Sequence, residues 1–149
     1  MNLRDLPLGT MIVRDGLADV ATVRDALFKA RETDQRLGEV MLAQGWIRER
    51  DLARLLAEQA KLEFVDLAKV HPSEAAVDEL PQSVAQRVQA IAYAFDDEEL
   101  LVAVADPTDE HGLGEVRGAV ERRVRFTVAE PSEIDALSGA FGKPLLRSA

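Results

Sequence analysis

The apolar positions of the first sixty residues follow helical spacing, and the same arrangement occurs twice. Residues 8–15 predict a short helix, and residues 20–30 predict a longer amphipathic helix after an N-cap at Asp19. The pattern recurs 29 residues later, because residues 37–44 predict a short helix and residues 48–60 a longer one. Two copies of a helix pair are therefore predicted.

Glycines mark the same positions in both copies. Leu8-Gly9 with Gly16-Leu17 recurs as Leu37-Gly38 with Gly45-Trp46. Gly16 and Gly45 are predicted to take the left-handed conformation that ends a helix, with the next residue packing back over the end. Trp46 has two interpretations at this stage: packing over its helix end, or anchoring a partner protein.

The rest of the chain changes character, and several of its segments predict strands, of which residues 123–128 show the alternation of a half-buried strand. The predicted elements after residue 61 are a strand or tether at 62–67, short helices after Ser73 and Pro81, strands at 90–95 and 100–105 around the acidic turn 96–99, a helix at 109–120, a strand at 123–128 and a helix at 131–141. The predicted class is α+β. We predict a four-helix subdomain at residues 1–60, a small α/β subdomain with a short sheet at 61–141, and a tail or linker at 142–149.

Composition narrows the function classes. The net charge of −9 disfavours nonspecific binding to DNA, RNA or anionic lipid. The absence of cysteine excludes thiol catalysis and suits the cytoplasm. We expect no signal peptide and no membrane insertion, since no apolar run is long enough to span a bilayer.

Catalytic and metal motifs are absent from the sequence. Gly142-Lys143-Pro144 lacks the hydroxyl residue and the preceding glycine of a phosphate-binding Walker A loop, and there is no Gly-x-Ser-x-Gly. His71 and His111 lie far apart and do not show metal-ligand spacing. We therefore predict no catalytic residue, no metal and no required cofactor.

The repeat resembles a known family. Arg36-Leu37-Gly38, Gly45, Leu52, Leu56 and Gln59 match the signature of the N-terminal domain of type II secretion and type IV pilus ATPases, often called MshEN. That family carries a twenty-four-residue motif twice with a five-residue spacer, which places the copies here at 7–30 and 36–59. The turn Ala105-Asp106-Pro107-Thr108 also looks like this family.

The resemblance implies a regulatory domain that binds cyclic di-GMP, and docking on the cytoplasmic part of an inner-membrane assembly protein or on a cognate ATPase. It implies a cytoplasmic location with recruitment to the inner membrane through that protein partner. The implied ligand residues are Arg36, Leu37, Gly38, Leu52, Leu56 and Gln59 in the second copy and Leu8, Gly9, Val23 and Leu27 in the first. Glycine would allow close backbone approach, arginine would contact base or phosphate, and glutamine a base edge.

The first copy departs from the signature where polar recognition is expected. Pro7 stands at the arginine position and Ala30 at the glutamine position. Losing one charged and one neutral hydrogen bond weakens binding by roughly 2–4.5 kcal/mol. Two functions of different class therefore remain: a cyclic di-GMP sensor with a degenerate first copy, or a docking adaptor that binds no nucleotide.

Overall fold

The structure, a computed structural model, describes residues 5–141, with side chains described from Pro7 onward. The helices in this part are α1 (Asp5–Arg14), α2 (Val20–Thr33), α3 (Leu37–Ala43), α4 (Glu49–Ala60), α5 (Glu74–Glu79), α6 (Gln82–Val88), α7 (Glu110–Ala119) and α8 (Pro131–Phe141), with a 3₁₀ turn at Leu67–Lys69. The strands are β1 (Ala90–Asp96), β2 (Glu99–Val104) and β3 (Val124–Val128). The predicted α+β class is confirmed. The predicted tail at 142–149 lies outside the described residues.

The two helix pairs end their short helices in the same way. Gly16 and Gly45 have φ of 70° and 73°, in the left-handed region that glycine adopts without a Cβ clash. The amide of Leu17 donates to the carbonyl of Ile12 at 3.0 Å, and the amide of Trp46 donates to that of Met41 at 2.9 Å. The sequence repeat is therefore a repeat of backbone hydrogen bonds, and both predicted C-caps are confirmed.

One apolar core joins the helices α1 to α4. Its buried members are Leu8, Ile12, Val23, Ala26, Ala30, Leu37, Val40, Met41, Ile47, Leu52 and Leu55. Trp46 is half-buried and packs against this core, which confirms the packing interpretation of its position. The predicted N-cap Asp19 accepts a hydrogen bond from the amide of Thr22 at 2.8 Å.

A three-stranded sheet organises the second half, in the order β1-β2-β3. The pair β1–β2 is antiparallel and closes the acidic hairpin, whereas β2 and β3 run parallel with α7 as their crossover. Residues of α5, α6 and α7 pack on one face of the sheet, and α8 with the 3₁₀ turn packs on the other. The sheet is thus buried on both faces.

Helix α4 attaches the helical repeat to the sheet. Ala53 and Ala57 of α4 form a small buried cluster with Val128 of β3. Residues 62–67 were predicted to form a strand or a tether. They do not form a strand, because Phe64 alone among them bridges Val128. Asp66 then accepts a hydrogen bond from the amide of Ala68 at 3.1 Å and turns the chain. The division of the chain at residue 60 stays a prediction.

Candidate ligand-binding grooves in the helical repeat

Each helix pair forms a groove between its short and its long helix, and the two grooves are copies of one another. The first groove is lined by Gly9, Thr10, Val13, Val23 and Leu27, and the second by Gly38, Glu39, Leu42, Leu52 and Leu56, every one 29 residues later. Leu8, which precedes Gly9, lines the second cavity. The two grooves therefore lie on either side of the start of α1.

The glycine at the third position of each copy has a packing role. A Cβ on Gly9 would lie 3.0 Å from Cγ1 of Val23, and a Cβ on Gly38 would lie 3.0 Å from Cδ2 of Leu52. Glycine at these positions lets the short helix approach the long one closely. The sequence predicted that these glycines allow a ligand to approach the backbone, whereas in the structure the side chain of the neighbouring helix makes this close approach.

Arg36 lies at the rim of the second groove and is already engaged by the other half of the chain. Its Nη1 donates a hydrogen bond to Oγ1 of Thr108 and lies 3.5 Å from Oδ2 of Asp106. Oδ1 of Asp106 accepts from the amide of Thr108 at 2.9 Å and from its hydroxyl at 2.5 Å. We call this set of Arg36, Asp106 and Thr108 the clasp.

Beside the clasp, residues of the second half of the chain add a wall to the second groove. Gln89, Ala105, Asp106 and Pro131 form this wall, and the volume of the cavity is about 180 Å³. Sequence reasoning did not assign these residues to the site. The turn at Asp106 was visible as a motif, but its pairing with a residue 70 positions earlier is a tertiary contact that no local pattern encodes.

The first groove has different polar residues. Pro7 is exposed, and Ala30, at the glutamine position, is 4% exposed within the helical core. Arg14 and Arg24 line this groove instead, together with Val20, and its cavity is about 500 Å³. Hydrogen bonds to Asp15 and Glu58 raise the pKa of Arg14 above its ordinary value, so this guanidinium stays charged.

Seven predicted ligand residues line these two cavities directly, and Arg36 makes an eighth; the seven are Leu8, Gly9, Val23, Leu27, Gly38, Leu52 and Leu56. The other two are placed differently. Leu37 is 0% exposed in the helical core, and the half-buried Gln59 lies in the last turn of α4, outside the walls of both cavities.

Charges at the junction of the two halves hold α4 against the sheet. Arg50 of α4 lies 2.7 Å from Oδ2 of Asp66 and 3.5 Å from Oε2 of Glu130. The hydrogen bond from Arg50 lowers the pKa of Asp66. Burial, with the nearby carboxylates of Glu130 and Asp66, raises the pKa of Glu133, whose Oε1 accepts from the amide of Leu67 at 3.2 Å.

Within residues 5–141, no cluster of three or more histidine, cysteine, aspartate or glutamate side chains is arranged to hold a metal ion. The helices of the same range are all too short or too polar to cross a membrane.

Comparison with known sequences finds two relatives that are much longer than this chain. The chain is 30% identical over 135 residues to the type IV pilus assembly ATPase PilB of Thermus thermophilus. It is 28% identical over 128 residues to bacteriophage adsorption protein B of Escherichia coli K12. These alignments cover 90% and 86% of the chain, but only 15% and 17% of the two relatives.

Comparison with solved structures covers both halves. The structure of MshE with cdg matches with a TM-score of 0.80 at 26% identity, over 90% of this chain and 97% of that one. The N-terminal domain of XpsE matches in fold with a TM-score of 0.72 at 23% identity, over 92% and 94%. The sequence model of the MshEN domain matches residues 60–146, which begin where the second motif copy ends. With more than half of its length matched in this way, the chain belongs to the MshEN domain family.

Proposed function

We propose that this chain is a non-catalytic regulatory domain that binds cyclic di-GMP at the second groove of its helical repeat. The observation that carries the proposal is the position of Arg36 on that groove, above the apolar walls made by Leu52 and Leu56. A planar guanidinium beside an apolar surface suits a guanine base linked to a phosphate. The structural neighbour MshE was solved with cdg, the abbreviation of cyclic di-GMP, which supports this ligand.

The size of the cavity adds a condition to the proposal. About 180 Å³ is available in the second groove, whereas sites for ligands of this size enclose about 300–1,000 Å³. The small apolar contact of α4 with β3 and its ion pairs fix one side of the cavity. We therefore propose that, on binding, Arg36 releases Asp106 and the turn at Asp106 moves outward. This movement would transmit occupancy of the groove to the α/β half.

The proposed setting follows from the relatives. PilB is a type IV pilus assembly ATPase, and the chain corresponds to a small part of it. We propose that the domain acts in the cytoplasm within a secretion or pilus ATPase system. Its protein partner there would be the cytoplasmic part of an inner-membrane assembly protein or a cognate ATPase.

Calorimetric titration of cyclic di-GMP into the purified chain tests the ligand. We expect Arg36→Ala to weaken binding about 10- to 150-fold, because a charged hydrogen bond contributes about 1.5–3 kcal/mol. Arg48→Ala is the matched control, since Arg48 is the N-cap residue of α4, has a side chain that is 83% exposed, and pairs with Asp51. Equal affinities of the two variants would refute the site, and no binding by the unmodified chain would refute the ligand.

A further inference from the structure

The first groove is the open duplicate of a groove that the chain covers itself. Over the second groove lie Ala105 and Asp106, with Asp106 paired to Arg36 at the rim. The first cavity is lined by residues of α1 and α2 alone, within the described range 5–141. Within residues 5–141, the same kind of groove thus occurs once with residues of the second half over it and once without them.

The uncovered groove presents apolar surface with positive charge at its edge. Val13, Val23 and Leu27 form its walls. Val20, which also lines this groove, is 54% exposed. An exposed apolar groove of this kind commonly marks an interaction surface.

The charge at this edge is opposite to that of the chain as a whole. Arg14 and Arg24 line the groove in a molecule of net charge −9. Arg24 makes no ion pair with any residue of the described range, whereas Arg14 is paired with Asp15 and Glu58. Arg24 is therefore the cation available to an incoming carboxylate.

We propose that the first groove docks a segment of a partner protein in which a small apolar residue is followed by an aspartate in a turn. The covered groove supplies the chemistry, because Ala105-Asp106 is such a segment and its aspartate meets an arginine at the same kind of groove. In the first copy Pro7 stands at the position of that arginine, and Arg24, which lines the groove from the long helix α2, is the proposed partner of the carboxylate instead. The proposal is independent of nucleotide binding at the second groove.

Two other occupants fit the groove less well. A guanine nucleotide would find neither the arginine nor the glutamine of the signature, since Pro7 and Ala30 stand there. A second copy of this chain would have to offer its own Ala105-Asp106 turn, which is already engaged in its own clasp. A segment of another protein remains the occupant that the charges and the shape favour.

The test uses the whole chain labelled with ¹⁵N and the heptapeptide of residues 103–109 as the probe. Amide shifts are followed by NMR, which detects binding in the millimolar range that a short unstructured peptide is expected to show. We expect the amides of Gly9, Val13 and Leu27 to shift. The variant Arg24→Glu should weaken binding about 2- to 30-fold, because it turns an attraction into a repulsion of similar size, while the control Arg31→Glu, exposed on the same helix, should not.

The same titration identifies the results that overturn the proposal. If the peptide with asparagine in place of Asp106 binds as tightly as the original peptide, the carboxylate charge has no role in docking. Shifts confined to Gly38 and Leu42 would show that the peptide only displaces the internal cover. Shifts of the Gly9 and Leu27 amides by cyclic di-GMP, without any by the peptide, would make the groove a nucleotide site instead.

Discussion

Replacing Asp106 by asparagine tests whether the clasp competes with the proposed ligand. Asparagine keeps an Oδ1 that accepts from the amide and hydroxyl of Thr108, so the turn is retained. It removes the carboxylate that lies 3.5 Å from Arg36. If a phosphate or base must take the place of Asp106 at Arg36, this variant should bind cyclic di-GMP more tightly.

The size of the gain follows from the exposure of the pair. The side chains of Arg36 and Asp106 are 31% and 47% exposed, so their ion pair is worth about 0.2–1 kcal/mol. Relieving this competition should raise affinity about 1.4- to 5-fold. The gain should shrink at high salt, since screening already weakens the competing pair.

Calorimetry at low ionic strength compares Asp106→Asn with Asp97→Asn, which makes the same change of charge at the exposed hairpin. Asp97 has a φ of 55°, a conformation that asparagine also adopts readily, so this control should fold normally. Equal affinity of the two variants would refute competition by Asp106. Weaker binding by Asp106→Asn would show that the carboxylate contacts the ligand.

Three further predictions concern stability and the first motif copy. Gly45→Ala should destabilise the fold by about 1 kcal/mol in urea unfolding, because Gly45 has a φ of 73°, which alanine adopts at a cost. Gly114→Ala should instead stabilise the fold by up to about 1 kcal/mol, because Gly114 lies in α7 with open space for a Cβ. Equal effects of the two substitutions would contradict this account. The raised pKa of Glu133 means that its ionised form opposes folding, an effect that is present at neutral pH and is lost as pH falls below that pKa. Glu133→Gln, which can still accept from Leu67, should therefore raise Tm at pH 7 and lose this advantage in acid; a pH-independent difference would exclude the charge as the cause. If the first copy binds the ligand weakly because it lacks a charged donor, Pro7→Arg should tighten cyclic di-GMP binding about 10- to 150-fold by calorimetry. Unchanged affinity would show that an arginine at this position does not reach the ligand.

Periodicity and glycine placement accounted for most of the secondary structure. The 29-residue repeat predicted α1 to α4 and both left-handed helix ends, because these depend on local spacing and on residues that lack a Cβ. The hairpin and the last helix were likewise predicted within about a residue, since apolar segments around an acidic turn and an initial proline are local signals. Residues 62–67 were ambiguous, and only Phe64 pairs with a strand.

The sequence by itself determined that two equivalent helix pairs exist, which of their positions are apolar, and that only the second copy carries the arginine of the signature. The tertiary structure alone decided that the grooves differ in access. Packing of α4 on β3 brings the turn at Asp106 over the second groove and leaves the first one open. The contact between Arg36 and Asp106, 70 positions apart, depends on how the helical repeat packs against the sheet. No local pattern of spacing or charge contains this information.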